Sequence, residues 1–310
     1  MSEKKKALVI GAAGLLGYSV TRSLCDNGWK VRAVDKNSII MSGLFDNRVE
    51  SLCGDIFDAA FINKSLEDID IVYFFLSSFL PSASLDNKNN IMYDALESVL
   101  DKMIEQGISE VVFPSSGGAI YGNIISRYAK EEDMPAPVTS YGIERLECEK
   151  LLERYATLGI SSMILRIGNV YGGNMYREVK QGVIDIFVQK VLKDEEITIW
   201  GNALNNIRDY IFMDDFVDAV YKTSAREFYG INIYNVGSGV GVSLGEILEI
   251  IEDKLEKPLR LKYIPNDVTD SIERIILDCG KIKSEYDWAP QYDIERGIVE
   301  TIKRKMDIMK

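Results

Sequence analysis

The sequence predicts an α/β protein, a doubly wound parallel sheet with a smaller C-terminal α/β lobe. Through the first two-thirds of the chain, short β-type runs alternate with helical stretches, which is how a parallel sheet with helices on both faces is written. After about residue 172 the alternation turns irregular, yet no Pro-, Gly- or Ser-rich linker intervenes, so a second lobe packs closely on the first. At 310 residues, with 46% hydrophobic and 27% charged residues, the chain is long enough for substantial cores.

The elements follow in order. Residues 6–10 read as a strand, 14–27 as a helix ending at Asn27-Gly28, and 30–35 as a second strand. Further strands are expected at 49–52, 71–76, 111–114 and 162–167, with helical periodicity over 88–106 and 140–157. Beyond residue 172, a helix near 180–193 leads to a strand at 197–200 and a helix over 214–225. A strand at 231–236, a helix over 243–255 and a last helix from about 293 complete the list. The expected division is a nucleotide-binding domain over 1–171, with 207–239 returning to it, and a second lobe from 172–206 and 240–310.

Composition removes several function classes. A net charge of −12 argues against nucleic acid and anionic membranes as partners. The longest apolar stretch, 69–80, is interrupted by Asp70, Ser77 and Ser78 and is too short to span a bilayer. The apolar run 7–10 is likewise too short for a secretory signal and reads as a first strand, so the chain is expected in the cytoplasm. Cys25, Cys53, Cys148 and Cys279 show no paired spacing, so neither disulfides nor a metal site is expected. With no histidine in the chain, proton transfer falls to Tyr, Lys, Asp, Glu or Cys.

Gly11-Ala-Ala-Gly14-Leu-Leu-Gly17 follows the first strand and opens a helix. Gly11 permits the tight turn, Gly14 lets the backbone approach a pyrophosphate, and Gly17 lets the helix pack close to the sheet. The helix N-terminus offers free N–H groups to the phosphates. The spacing is one residue longer than Gly-x-Gly-x-x-Gly, but the strand–turn–helix context makes dinucleotide binding the better reading than a plain turn, and the fold Rossmann-type. Asp35 closes the second strand, where a carboxylate can accept both adenosine ribose hydroxyls and would repel a 2′-phosphate. NAD is therefore the expected cofactor, against NADP, with Lys36 beside Asp35. The dinucleotide set comprises Gly11, Ala13, Gly14, Leu15, Leu16, Gly17, Asp35 and Lys36, with Asp55, Ile56, Leu76 and Ser77 at later strand ends. Asp55 reads equally well as a simple turn residue.

Ser115-Ser116-Gly117-Gly118 follows a strand, with Tyr121-Gly122 beyond, and Ser140-Tyr141-Gly-Ile-Glu-Arg145 opens a helix. Tyr141 and Arg145 lie four residues apart, hence on one helical face. A fixed cation beside a phenol favours the phenolate, as an acid or base requires, and a nearby serine hydroxyl would steady the same substrate oxygen. Taken alone, the pair also reads as a half-buried tyrosine with an incidental arginine.

With these residues in view the chain resembles the extended short-chain dehydrogenase/reductase family, in particular its nucleotide-sugar epimerases, dehydratases and reductases. The resemblance continues through Leu165-Arg-Ile-Gly-Asn169-Val-Tyr-Gly172, Arg208-Asp-Tyr-Ile-Phe-Met-Asp-Asp215, Tyr234-Asn-Val-Gly-Ser-Gly239, and Leu277-Asp278 to Trp288-Ala-Pro290. It implies that Tyr141 transfers the proton, that Asn169 approaches a UDP- or dTDP-linked sugar, and that Arg208 meets its diphosphate by forked hydrogen bonds. Tyr121 and Arg274 join that substrate set. An ion pair of Arg208 with Asp209 or Asp214 is the plainer alternative. The resemblance also implies a homodimer through the helices near 90–105 and 140–157, whose broad apolar faces carry Ile91, Met92, Leu96, Val99, Leu100, Met103, Leu146, Leu151, Leu152 and Tyr155.

Two positions depart from the family pattern. Arg145 stands where Tyr-x-x-x-Lys has lysine, and a planar, bulkier, always charged guanidinium is not a conservative replacement. Gly117 stands where the family places its Ser or Thr, leaving Ser115 or Ser116 to supply the hydroxyl. Gly118-Ala119 replaces the Asp-Glu pair of the dehydratases, which speaks against elimination of water. What the resemblance then implies is NAD-dependent epimerisation at sugar C4 through a 4-keto intermediate. The alternatives are 4-ketoreduction and, from another class, dinucleotide binding without catalysis.

Overall fold

The elements run β1 (Lys6–Ile10), α1 (Leu15–Asp26), β2 (Lys30–Asp35), β3 (Val49–Cys53), α2 (Ala59–Leu66), β4 (Ile71–Phe74) and α3 (Ile91–Gln106). Next come β5 (Glu110–Ser116), the short α4 (Gly117–Ile120), α5 (Ser140–Ala156), β6 (Ser161–Ile167), β7 (Asn169–Tyr171), α6 (Val183–Leu192) and β8 (Ile197–Trp200). Then β9 (Ile207–Phe212), α7 (Met213–Ser224), β10 (Ile231–Val236), β11 (Gly241–Ser243), α8 (Leu244–Leu255), β12 (Leu261–Ile264), α9 (Gly280–Tyr286) and α10 (Ile294–Ile308) complete the chain. The computed structural model describes residues 5–37, 41, 43–76, 91–173, 182–265 and 272–309.

Seven strands form one sheet in the order β3-β2-β1-β4-β5-β6-β10. The pairs β1–β2, β1–β4, β2–β3 and β4–β5 are parallel. Strand order therefore reverses between β1 and β4, and in open α/β sheets such a switch point marks the ligand crevice at the carboxyl ends of the strands. A three-stranded sheet, β11-β9-β7, and a parallel pair, β12-β8, complete the β-structure.

The contacts sort the chain into two compact units. The first comprises Met1–Ser115, Ser140–Leu165 and Val217–Tyr234, and the second Ser116–Thr139, Arg166–Phe216 and Asn235–Lys310. In the first, Leu8, Ile10, Val72, Phe74 and Phe113 from the strands pack against Met92, Leu96, Val99 and Leu100 of α3 and Leu151 and Leu152 of α5. Glu144 on α5 accepts the Met92 N–H in the first turn of α3 at 3.3 Å, an anion where the helix dipole favours one. The second unit has its own core, in which Ile184 and Val188, Ile197 and Ile199, Tyr171 and Phe212, Ile247 and Ile251, and Ile298 meet.

That first core bears on the expected dimer. Met92, Leu96, Val99, Leu100, Met103, Leu151, Leu152 and Tyr155 are buried inside one chain, so intrachain packing accounts for these residues, while Leu146 is half-buried. Ile91 stays exposed.

Several elements fall outside the expectations. Helix α2 is only eight residues long and owes its ends to side chains. Asp58 accepts the Ala60 and Phe61 N–H groups, and Arg32 on β2 donates Nη1 to the carbonyls of Lys64, Ser65 and Glu67 at the other end. A cap supplied from another strand leaves no local signature. Strands β9, β11 and β12 are short and pair with partners far away in sequence, β9 with β7 and β11, β12 with β8. Among the described residues no helix is long and apolar enough to cross a membrane.

Candidate functional site

The glycine turn sits at the switch point. Gly11 has φ +77°, and a Cβ there would lie 2.7 Å from the Phe75 carbonyl oxygen just after β4. Gly11 and Ala12 donate their N–H groups to the Val34 carbonyl at 3.0 and 3.1 Å, which ties the turn to β2. Gly14 caps α1 without a side chain, and a Cβ on Gly17 would overlap the Gly11 carbonyl. The first-turn amides of Leu15, Leu16 and Gly17 have no intrahelical acceptor by position and are available to an anion. The cradle therefore fits a dinucleotide pyrophosphate, because backbone is its wall and no Cβ intrudes.

Asp35, half-buried at the end of β2, accepts the Ala13 N–H on Oδ2 at 3.1 Å and the Asn37 N–H on Oδ1 at 3.0 Å. One carboxylate thus links the strand end to the glycine turn. Lys36 is exposed beside it. Cys53 lies opposite Asp35 in the β2–β3 register, with its thiol exposed. Asp55 is exposed and accepts the Phe57 N–H at 3.0 Å, the geometry of a turn aspartate, while Ile56 is buried in the core. Leu76 packs against that core, and Ser77 lies outside the described residues.

On α5, Tyr141 is half-buried and Arg145 is 5% exposed. The guanidinium centre lies 5.1 Å from the centroid of the Tyr141 ring and 5.6 Å from that of Phe113. Its Nη1 donates to the Pro114 carbonyl at 2.6 Å, and its Nε is buried with no acceptor among the described residues. The cation is thus held by aromatic faces and a single carbonyl, which a planar guanidinium can exploit and an ammonium cannot match. The two candidate serines differ. Ser115 is fully buried and donates Oγ to Glu149 Oε1 at 2.5 Å. Ser116 is 9% exposed, and its Oγ lies 4.0 Å from where a Gly118 Cβ would stand. The same Cβ would be 3.7 Å from Asn169 Oδ1, so Ser116, Gly118 and the Asn169 amide share one locality in the second unit.

The other second-unit residues divide by how committed they are. Tyr121 is buried, its hydroxyl donating to Asn235 Oδ1 at 2.7 Å and accepting from Arg166 Nη1 at 3.0 Å. Its proton and one of its lone pairs are thus in use. Asn169 is half-buried, with Nδ2 3.3 Å from the Asp209 carbonyl. Arg208 donates to the carbonyls of Ile207 and Ile272, and no carboxylate pairs with it among the described residues. Burial holds its pKa below the usual arginine range. The ion pair with Asp209 or Asp214 is not found, since Asp214 pairs with Arg304 and Asp209 takes other donors. Arg274, half-buried, donates Nη1 to the carbonyls of Ile124 and Arg127. It follows Glu273, whose carbonyl accepts the Ile207 N–H, so the backbones bearing the two arginines run side by side. Among the described residues both guanidinium groups are held by carbonyls, which suits a diphosphate.

In the sequence Asp209 stands out only as a partner for Arg208. It is 1% exposed and accepts four hydrogen bonds, from Ser238 N–H and Oγ–H on Oδ1 and from the Gly239 and Leu277 N–H groups on Oδ2. Burial pushes its pKa up to about 6 against the pull of those donors. The signal was present in Arg208-Asp-Tyr and Gly-Ser-Gly239, but only the fold brings the two stretches together. Glu149 was missed likewise, as one charge among many on α5.

Comparison with known proteins agrees with this geometry. The model of a family described as the NAD dependent epimerase/dehydratase family matches residues 7–237. The chain is 30% identical over 302 residues to a putative UDP-glucose 4-epimerase of Methanocaldococcus jannaschii, spanning 95% of this chain and 96% of that protein. It is 34% identical over 225 residues to the dTDP-4-dehydro-6-deoxyglucose reductase of Escherichia coli, 70% of each chain. A solved UDP-glucose 4-epimerase from Thermotoga maritima, with UDP-glucose, is similar with a TM-score of 0.88 and 27% identity over 98% of this chain and all of that one.

Proposed function

Because the chain belongs to the NAD dependent epimerase/dehydratase family, we propose that it epimerises a nucleotide-linked sugar at C4. The observation that carries this reading is Tyr141 stacked with an always charged guanidinium in a chain that has no histidine. Gly118 and Ala119, where an acidic pair would serve elimination, favour epimerisation over dehydration. When bound, NAD supplies a reversible hydride acceptor for C4. The glycine turn, the first-turn amides of α1 and Asp35 hold it. Tyr141 takes the C4 hydroxyl proton as that carbon is oxidised and returns it when the carbon is reduced on its other face. Ser116, whose hydroxyl has no partner among the described residues where that of Ser115 has Glu149, steadies the C4 oxygen. Arg208 and Arg274 bind the diphosphate, and Asn169 a sugar-side oxygen. The substrate is UDP- or dTDP-linked, in keeping with the relatives, and the setting is the cytoplasm, in keeping with four free thiols. The chain pairs as a homodimer through α3 and α5, where Ile91, Ile104 and Ile143 are exposed apolar residues.

The test is mass spectrometry of small molecules released from the freshly purified protein, with assay of UDP-glucose and UDP-galactose interconversion. Near-stoichiometric NAD with interconversion is the expected result. A second reading, 4-ketoreduction, is favoured by the 34% identity to the Escherichia coli reductase. It would show as exchangeable NADH consumed on a 4-keto-6-deoxy sugar nucleotide. Dinucleotide binding with no turnover on either class would leave a non-catalytic role.

A further inference from the structure

Three consecutive residues at the end of β5 engage the stripe of α5 that carries Tyr141. The Phe113 ring faces Arg145, the Pro114 carbonyl accepts its Nη1–H, and Ser115 Oγ donates to Glu149. Tyr141, Arg145 and Glu149 are spaced by four, so they stand in one row along the helix. Ser115 is 1% and Glu149 2% exposed. Burying a carboxylate carries a desolvation cost that an apolar side chain filling the same space would not. What the carboxylate adds is direction, because a short side chain-to-side chain hydrogen bond fixes how far the helix is turned and how high it stands on the strand. Arg145 cannot do this alone. Ring faces tolerate sliding, and its hydrogen bond to Pro114 leaves Nε without an acceptor among the described residues.

We propose that Ser115 and Glu149 form a buried clamp that positions the Tyr141–Arg145 pair for proton transfer. Both are positioning residues, and the proposal rests on the assignment of Tyr141 above. A helix turned by one residue shifts by roughly 1.5 Å along its axis. A misplacement of about 1 Å at the reacting atoms costs on the order of 100-fold in rate.

The experiment is steady-state kinetics with UDP-glucose on S115A, S115T, E149Q and the S115A/E149Q double variant, with bound NAD measured in each. S115A is expected to lower kcat by about 10- to 100-fold with KM and bound NAD nearly unchanged. S115T keeps the hydroxyl donor and should recover most of the loss. E149Q keeps an acceptor and should lose less than S115A, and the double variant should be no slower than S115A. Wild-type kcat in S115A, a loss carried by KM, an S115T as slow as S115A, or additive losses would each overturn the clamp. If E149Q does not fold, the S115A and S115T comparison still decides. Y141F separates the two claims, since full activity there removes the Tyr141 assignment itself, whatever the serine variants do.

Discussion

Tyr141 can act as the proton carrier only through its hydroxyl. Y141F is therefore expected to lower kcat by about 10²- to 10⁴-fold while the purified protein still retains NAD, measured by initial rates and by released cofactor. Arg145 sharpens the residue-scale picture. R145K keeps the charge but forfeits the Nη1 bond to the Pro114 carbonyl and the guanidinium's place over the Tyr141 and Phe113 rings. We expect kcat to fall roughly tenfold in R145K and further in the neutral R145M, with melting temperatures that separate a rate effect from unfolding. Ser116 should behave as a hydroxyl that touches substrate, so S116A should slow turnover and S116T should restore part of it.

At the scale of elements, single side chains hold segments that sequence keeps apart. Asp209 joins β9 to the 237–239 turn and to Leu277 through four donors. D209N would set an NH2 group against N–H donors and should cost about 1–3 kcal/mol, read by denaturant melts. The raised pKa gives this group a characteristic pH signature. Its folded value of about 6 lies above the usual 3.8, so the folded chain takes up the proton first. As pH falls from about 6 toward 4, Asp209 alone makes the fold more stable, by at most about 3 kcal/mol, and above pH 6 its contribution is flat. Melts of wild type and D209N across pH 4.5–7.5 (about the range that matters) should differ in slope below 6 and run parallel above it. The glycine turn is the other element under constraint. G17A drives a methyl into the Gly11 carbonyl, and it should weaken NAD binding and lower the melting temperature together.

For the whole molecule, the parallel sheet is legible because its inner strands are buried runs, β1 from Ala7 onward and β4 throughout, separated by helical stretches. The cradle was legible because three glycines and Asp35 each answer a local backbone demand. What remained hidden depends on contacts between distant residues. Arg32 caps a helix from a strand, Ser115 is spent on Glu149, and Tyr121 is enclosed by Arg166 and Asn235. Residue type and spacing pointed to Ser115 and Tyr121 as site candidates, and only packing reveals that their hydroxyls are occupied. Against protein stripped of its dinucleotide, NAD at about 100 times its Kd should stabilise the fold by about 2.7 kcal/mol, visible as a raised Tm in calorimetry. An unmoved Tm of the stripped protein would mean that the chain does not hold the cofactor.

The neighbour of Asp35 across the sheet offers a practical handle. Cys25 and Cys148 are buried, with burial pushing the Cys148 thiol up to about 12, and Cys279 is half-buried with its pKa also raised. Cys53 is the exposed one, and it stands opposite the carboxylate assigned to the adenosine ribose. A maleimide dye should attach there at close to one equivalent without any engineered cysteine. Its fluorescence would then report in real time when the ribose end of the dinucleotide arrives and leaves.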